Sequence, residues 1–228
     1  MHHHPHEHRD QPMGHHAHHD MDGVLRVGIG GPVGSGKTAL IEALVPILIE
    51  RGHSVGVITN DIYTVEDADH IKRTLDGVLD PARVVGVETG SCPHTAVRDD
   101  PTMNLAAGAE MVKRFGDIDT LLYESGGDNL TLTFSPVLAD VYVFVLDTGE
   151  GDKMPRKRGP GITNSDLLVI NKIDIAPYVR ADLEVMARDA DRVRDGGPVI
   201  LTDSLKGTGV AEVADFIASR RPACSPSA

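Results

Sequence analysis

The sequence predicts an α/β fold with a mainly parallel sheet flanked by helices, and three observations lead there. Short apolar, β-branched runs alternate with longer helical stretches from Val24 onward, the order expected of successive βαβ units. Runs such as Val141-Tyr142-Val143-Phe144-Val145-Leu146 are apolar at every position rather than at alternate ones, as in strands covered on both faces. The first apolar run ends in a glycine-rich turn that opens a helical stretch.

Taken in order, the expected strands are Val24–Ile29, Ser54–Thr59, Arg83–Val87, Thr120–Tyr123, Val141–Leu146, Leu167–Ile170 and Val199–Leu201. The expected helices are Lys37–Arg51, Glu66–Leu75, Thr95–Phe115, Tyr178–Arg194 and Val210–Arg220. One domain over residues 23–222 accommodates them, between a tail at 1–22 and a flexible end at 223–228. The 228 residues, 40% hydrophobic and 25% charged, are enough for a buried core.

The tail is a different material. His2, His3, His4, His6, His8, His15, His16, His18 and His19 are set among Pro, Glu, Asp and Gln with almost nothing apolar. Such a segment cannot offset its ordering entropy by burial and is expected to be disordered. Its imidazoles suit loose binding of divalent nickel, zinc or copper. An expression tag is the plainer alternative, although the run is interrupted and acidic.

Composition excludes several functions. The net charge of −12 repels polyanions, so nucleic acid is not an expected partner. The chain has no apolar run near the roughly 18 residues that span a bilayer, and no signal-peptide pattern. No membrane role is therefore expected. Two cysteines, Cys92 and Cys224, are too few for a disulfide framework, which suits the cytoplasm.

Gly31-Pro32-Val33-Gly34-Ser35-Gly36-Lys37-Thr38 has the form Gly-x-x-x-x-Gly-Lys-Thr between a strand and a helix. Glycines let successive backbone N–H groups close on phosphate oxygens, and the helix adds its positive end. Lys37 is placed to reach the β- and γ-phosphates and the Thr38 hydroxyl to ligate Mg²⁺. This is the P-loop of a P-loop NTPase architecture. Asn171-Lys172-Ile173-Asp174 follows the sixth strand. A carboxylate at Asp174 accepts both N1–H and the exocyclic amine of guanine, and adenine offers neither donor there. GTP is thus expected over ATP.

Polar clusters fall at other strand ends. Thr59-Asn60-Asp61 follows the second strand and Tyr123-Glu124-Ser125-Gly126-Gly127 the fourth. Lys37, Asp61 and Glu124 are the candidate catalytic residues, Glu124 standing where many P-loop proteins place a metal-linked acid. Cys92-Pro93-His94 offers a thiolate and an imidazole, good ligands for zinc, nickel or copper. Two ligands do not fill a coordination shell, but a two-fold dimer supplies four. Without that symmetry the pair reads as a buried thiol beside a surface histidine.

Together these residues resemble the family of urease accessory GTPases (UreG). The resemblance runs from about Leu25 to Val210. It is carried by Gly-Pro-Val-Gly-Ser-Gly-Lys-Thr (31–38), Thr-Asn-Asp-Ile-Tyr-Thr (59–64), Cys-Pro-His-Thr-Ala (92–96), Glu-Ser-Gly-Gly-Asp-Asn-Leu (124–130), Gly-Asp-Lys-Met-Pro-Arg-Lys (151–157) and Asp-Leu-Leu-Val-Ile-Asn-Lys (166–172). It implies a metallochaperone that binds GTP and Mg²⁺ and forms a homodimer when GTP and nickel are bound. Nickel would be held between two Cys92/His94 pairs and passed to apo-urease with other urease accessory proteins, on slow hydrolysis. Zn²⁺ is a possible competitor. The resemblance assigns Mg²⁺ to Thr38, Asp61 and Glu88, and guanine to Asn171, Lys172 and Asp174. Ser91 and Arg158 stand where the family usually has Gly, and Thr202-Asp203-Ser204-Leu205-Lys206 departs from its usual Thr-Asn-Leu-Lys. Other readings are a hydrogenase-type nickel GTPase, a nickel store built on the His tail, and an ATP-dependent small-molecule kinase.

Overall fold

The computed structural model describes residues 21–61, 66–89, 95–127 and 129–221. The His-rich tail, Cys92, His94 and Ser91 lie outside the described residues, as does the side chain of Asp61. Seven strands form one sheet: β1 (Leu25–Gly30), β2 (Val55–Asp61), β3 (Val84–Glu88), β4 (Thr120–Glu124), β5 (Val141–Asp147), β6 (Leu167–Asn171) and β7 (Val199–Leu201). Their spatial order is β3-β2-β4-β1-β5-β6-β7, and every neighbouring pair is parallel. The expected mainly parallel sheet is present.

Helices cover both faces. They are α1 (Lys37–Glu50), α2 (Glu66–Thr74), α3 (Thr102–Phe115), α4 (Pro160–Asn164), α5 (Ala176–Val179), α6 (Leu183–Val193) and α7 (Val210–Ser219). One face of the sheet packs Val27, Ile29, Val143 and Val145 against Leu40, Leu44 and Leu48 of α1 and Val213 and Ile217 of α7. The other packs Leu121, Tyr123, Phe144 and Ile170 against Leu105 and Met111 of α3 and Met186 of α6. Strands β1, β4, β5 and β6 are buried at every position, which explains their unbroken apolar runs.

Two expected helices are each broken in two. Thr95–Phe115 divides into a π-type turn at Thr95–Asp99 and α3. The break falls before Pro101, whose ring disfavours helical backbone at Asp100; Asp100 N–H closes the turn on the Thr95 carbonyl at 2.7 Å. Tyr178–Arg194 divides into the end of α5 and α6 because Arg180 turns left-handed (φ 57°) and stops the first. Asp182 starts the second, its carboxylate accepting the N–H groups of Glu184 and Val185.

Every strand except β7 runs one or two residues further than expected, and in β4 and β6 this has consequences for the site. Glu124 and Asn171 are the last residues of β4 and β6, so each is fixed by sheet hydrogen bonding rather than carried on a loop. The chain reverses its direction of growth around β1, where β2 lies on one side and β5 on the other. Ligands of such sheets bind outside the carboxyl ends of the strands at this point.

Candidate functional site

The loop from Gly31 to Gly36 leaves β1 at this switch point. Gly31, Gly34 and Gly36 all hold positive φ, and at two of them a side chain would also collide. Gly31 has φ 151°, and a Cβ there would lie 2.2 Å from the Val145 carbonyl oxygen. Gly36 has φ 93°, and a Cβ there would lie 2.3 Å from Asn171 Nδ2. Gly36 is also the N-cap of α1, which has no side-chain cap. The first N–H groups of the helix therefore point into the loop, where a phosphate satisfies them and meets the positive end of the dipole.

Lys37 is buried, and its Nζ donates to the carbonyls of Gly31 and Pro32 at 3.2 Å each. The ammonium thus folds back along its own loop. The Thr38 hydroxyl donates to Glu124 Oε1 at 2.7 Å, joining the loop to the end of β4. Glu124 is 1% exposed and its Oε2 has no hydrogen-bond partner. Burial raises its carboxyl to a pKa of about 7, opposed by the charge of Lys37 and the hydrogen bond from Thr38. A buried carboxylate with an unspent oxygen, beside a threonine hydroxyl and a lysine, fits a small divalent cation carried in with phosphate.

The expected base-reading segment packs directly on this loop. Asn171 Nδ2 donates to the Ser35 carbonyl at 3.1 Å, and Lys172 Nζ donates to the Gly34 carbonyl. Asn171 Oδ1 accepts three hydrogen bonds, from the Thr202 hydroxyl (3.0 Å), the Ser204 N–H (3.1 Å) and the Ser204 hydroxyl (2.9 Å). Lys172 is left-handed at φ 59°. The Thr148 hydroxyl donates to its carbonyl at 2.7 Å, and Asp147 Oδ2 lies 3.4 Å from its Nζ.

Asp174 is paired with Lys206 at 3.1 Å. It lines a cavity of about 150 Å³ with Gly36, Ala39, Asn171, Lys172 and Leu205. The 202–206 segment that departs from the family pattern is therefore one wall of the same cavity, and supplies the donors that orient Asn171. Glu150 stands nearby with an unpartnered buried Oε2. Burial, with Asp147 adding like charge, raises it to about 7.

The structure brings together Lys37, Thr38, Glu124, Asn171, Lys172 and Asp174. Glu88 is farther out. It ends β3 at the edge of the sheet, paired in register with Asp61, three strand spacings or about 14 Å from β1. Among the described residues no three of His, Cys, Asp or Glu are grouped to hold a metal ion, and none of the helices is long and apolar enough to cross a membrane. Sequence reasoning missed Asn104, Asp147, Thr148 and Glu150, and gave no individual role to Asn60, Thr202 and Ser204, which it named only within polar runs. For Asp147 a signal existed, because it is the acid ending an all-apolar strand beside the P-loop strand.

Comparison with known proteins agrees with this geometry. Residues 25–201 match the family model described as CobW/HypB/UreG, nucleotide-binding domain. The chain is 76% identical over 200 residues to urease accessory protein UreG 2 of Streptomyces griseus, covering 88% of this chain and 89% of that one. It is 60% identical over 194 residues to urease accessory protein UreG of Yersinia enterocolitica, covering 85% and 88%. Among solved structures it resembles the hydrogenase maturation factor HypB of Archaeoglobus fulgidus, with TM-score 0.68 and 25% identity over 92% of this chain and 97% of that one. The HypB of Helicobacter pylori in complex with nickel has the same fold, with TM-score 0.71 and 19% identity over 94% and 96%. From the P-loop, its position at the sheet's switch point and this likeness along most of the chain, the protein belongs to the CobW/HypB/UreG family of P-loop nucleotide-binding proteins.

Proposed function

We propose that the chain is a GTPase that carries nickel to apo-urease, working as a homodimer with other urease accessory proteins in the cytoplasm. The observation that carries the nucleotide half is the direct packing of Asn171 and Lys172 on the carbonyls of the P-loop. The triphosphate grip and the base pocket then form one cleft. Urease as the client is suggested by the names of the relatives, urease accessory proteins at 60–76% identity, and nickel is the metal that the resemblance to urease accessory GTPases implies.

In this reading Gly31, Pro32, Val33, Gly34, Ser35, Gly36, Lys37 and Thr38 hold the phosphates, and Asn171, Lys172 and Asp174 hold guanine. Asp174 exchanges its contact with Lys206 for the two donors of the base, a pairing that adenine cannot make. Lys37 moves from the Gly31 and Pro32 carbonyls to the β- and γ-phosphate oxygens. Thr38 holds Mg²⁺, with Asp61 and Glu88 as further carboxylates on that side. When bound, the ion neutralises charge developing on the phosphate oxygens. Asp61 and Glu124 order the attacking water, whose oxygen bonds to the γ-phosphorus as the bridging P–O bond to GDP breaks, its proton passing to an oxygen of the released phosphate. Intrinsic turnover is slow. Nickel, the cargo, is held by Cys92 and His94 from both copies, four ligands that zinc also accepts.

Light scattering of the protein with a non-hydrolysable GTP analogue and Ni²⁺ tests this. The expected result is a dimer with about one metal per two chains, as the ligand count requires, lost in Cys92→Ala with GTP binding retained. Monomers that bind nickel equally well without nucleotide overturn the metal half. ATP binding as tight as GTP, unchanged by Asp174→Asn, overturns the nucleotide half.

A further inference from the structure

We infer that Asn104 of α3 is a positioning residue that couples the phosphate end of the cleft to the backbone just after Cys92-Pro93-His94, acting through Asn60 and Ala96. The inference rests on the nucleotide-dependent metal site proposed above and names a route by which the two sites communicate.

Asn104 has 0% of its surface exposed and Asn60 has 1%. Asn104 Nδ2 donates twice, to Asn60 Oδ1 at 2.7 Å and to the Ala96 carbonyl at 2.9 Å. Asn60 Nδ2 in turn donates to the backbone carbonyl of Glu124 at 3.0 Å, and the Glu124 side chain accepts from Thr38. One buried line of hydrogen bonds therefore runs from the P-loop helix through β4 and β2 to α3 and the Thr95–Asp99 turn. Ala96 is two residues beyond His94.

A purely structural account of Asn104 is incomplete. Its Oδ1 is buried with no hydrogen-bond partner, and an orphaned buried acceptor loses its water contacts without a replacement. Leu105, Gly108 and Met111 of the same helix are buried too, so an aliphatic side chain suits the surroundings and avoids that cost. What an aliphatic side chain lacks is two donors in one plane. With them the amide fixes a backbone carbonyl near the metal motif relative to a side chain that itself reads the end of β4. A displacement of Glu124 when nucleotide and cation enter is thereby passed to the Thr95–Asp99 turn. A hydrogen-bonded chain of this kind carries coupling between sites when the two ligands bias it between two arrangements.

The test measures Ni²⁺ affinity of the full chain with and without a non-hydrolysable GTP analogue plus Mg²⁺, for wild type, Asn104→Ser and Asn104→Ala. The expected wild-type ratio of the two affinities is tenfold or more. In the variants it falls to within about twofold of unity, while nucleotide affinity without metal and metal affinity without nucleotide change less than about threefold. A merely structural residue lowers all affinities together and leaves the ratio alone, and that result overturns the inference. Hydrogen exchange on wild type gives a readout independent of variant folding: the 96–100 amides change protection when the analogue binds, and unchanged protection overturns the coupling. A wild-type ratio of unity refutes the nucleotide-dependent metal site itself, and this inference with it. A preserved wild-type ratio with an unaltered variant ratio refutes only the role of Asn104.

Discussion

The two ends of the cleft are built from different materials. The phosphate end is backbone: one continuous loop, Gly31 to Thr38, whose shape follows from left-handed or crowded glycines and whose lysine bonds to its own carbonyls. The base end is side chains, gathered from 147–150, 171–174 and 202–206, each holding another in place. A loop made of backbone tolerates change poorly at a few positions and broadly elsewhere. A pocket made of side chains spreads its dependence over many residues, none of them dominant. The difference predicts one severe substitution at the first end and graded ones at the second.

The largest effect belongs to Lys37→Ala. On the proposed function it removes the cation that would face the transferring phosphoryl group, and phosphate release should fall by a factor of about 100 or more. Turnover within tenfold of wild type would break the phosphate half of the comparison. Asn171→Ala comes next, because it strands the Thr202 and Ser204 donors and the Ser35 carbonyl in buried surroundings. Urea unfolding should show a loss of about 2–3 kcal/mol, with nucleotide binding weakened at both ends of the cleft. A loss confined to base selectivity would mean that the two ends are not joined.

Glu150→Gln sharpens the comparison by pH. The fold raises this carboxyl to about 7, so the folded protein favours its neutral form and the unfolded chain ionises first. Glu150 therefore costs no stability below about pH 4.5, and the cost grows as pH rises to about 7, where it is complete. The glutamine variant should melt with wild type at pH 4.5 and a few degrees above it at pH 8. After solvent screening the difference is roughly 1 kcal/mol. The smallest effect is expected outside the cleft. Arg158 holds φ 58° where the family usually has glycine, and Arg158→Gly should raise stability by about 0.5 kcal/mol, with nucleotide affinity unchanged.

The same contrast explains what was legible in the sequence. The P-loop could be read because its eight residues are contiguous and their chemistry is local. The strands could be read because burial on both faces leaves apolar runs, and they fell within a residue or two of their expected ends. Pro101 was a visible breaker within the expected Thr95–Phe115 helix, whereas the left-handed Arg180 carries no sequence mark. Asn60 and Asn104 are 44 residues apart, and Asn171 and Ser204 are 33 apart. Pairings of that separation arise only from the folded sheet, so Asn171, Lys172 and Asp174 could be read as a contiguous run while the partners that hold them stayed hidden. The 202–206 segment looked like a departure from a pattern, and the structure shows it as a wall of the base-side cavity.

The Asn171 amide lies against Gly36 with no room for even a methyl group between them. The spacing between the two grips is thereby set to a fixed gauge, since neither can drift without the other. The cleft is thus built like a caliper, with its two jaws held at one separation. On the proposed function, a nucleotide whose sugar linkage is lengthened or shortened by one bond should bind more weakly, even if its base and its phosphates are each correct.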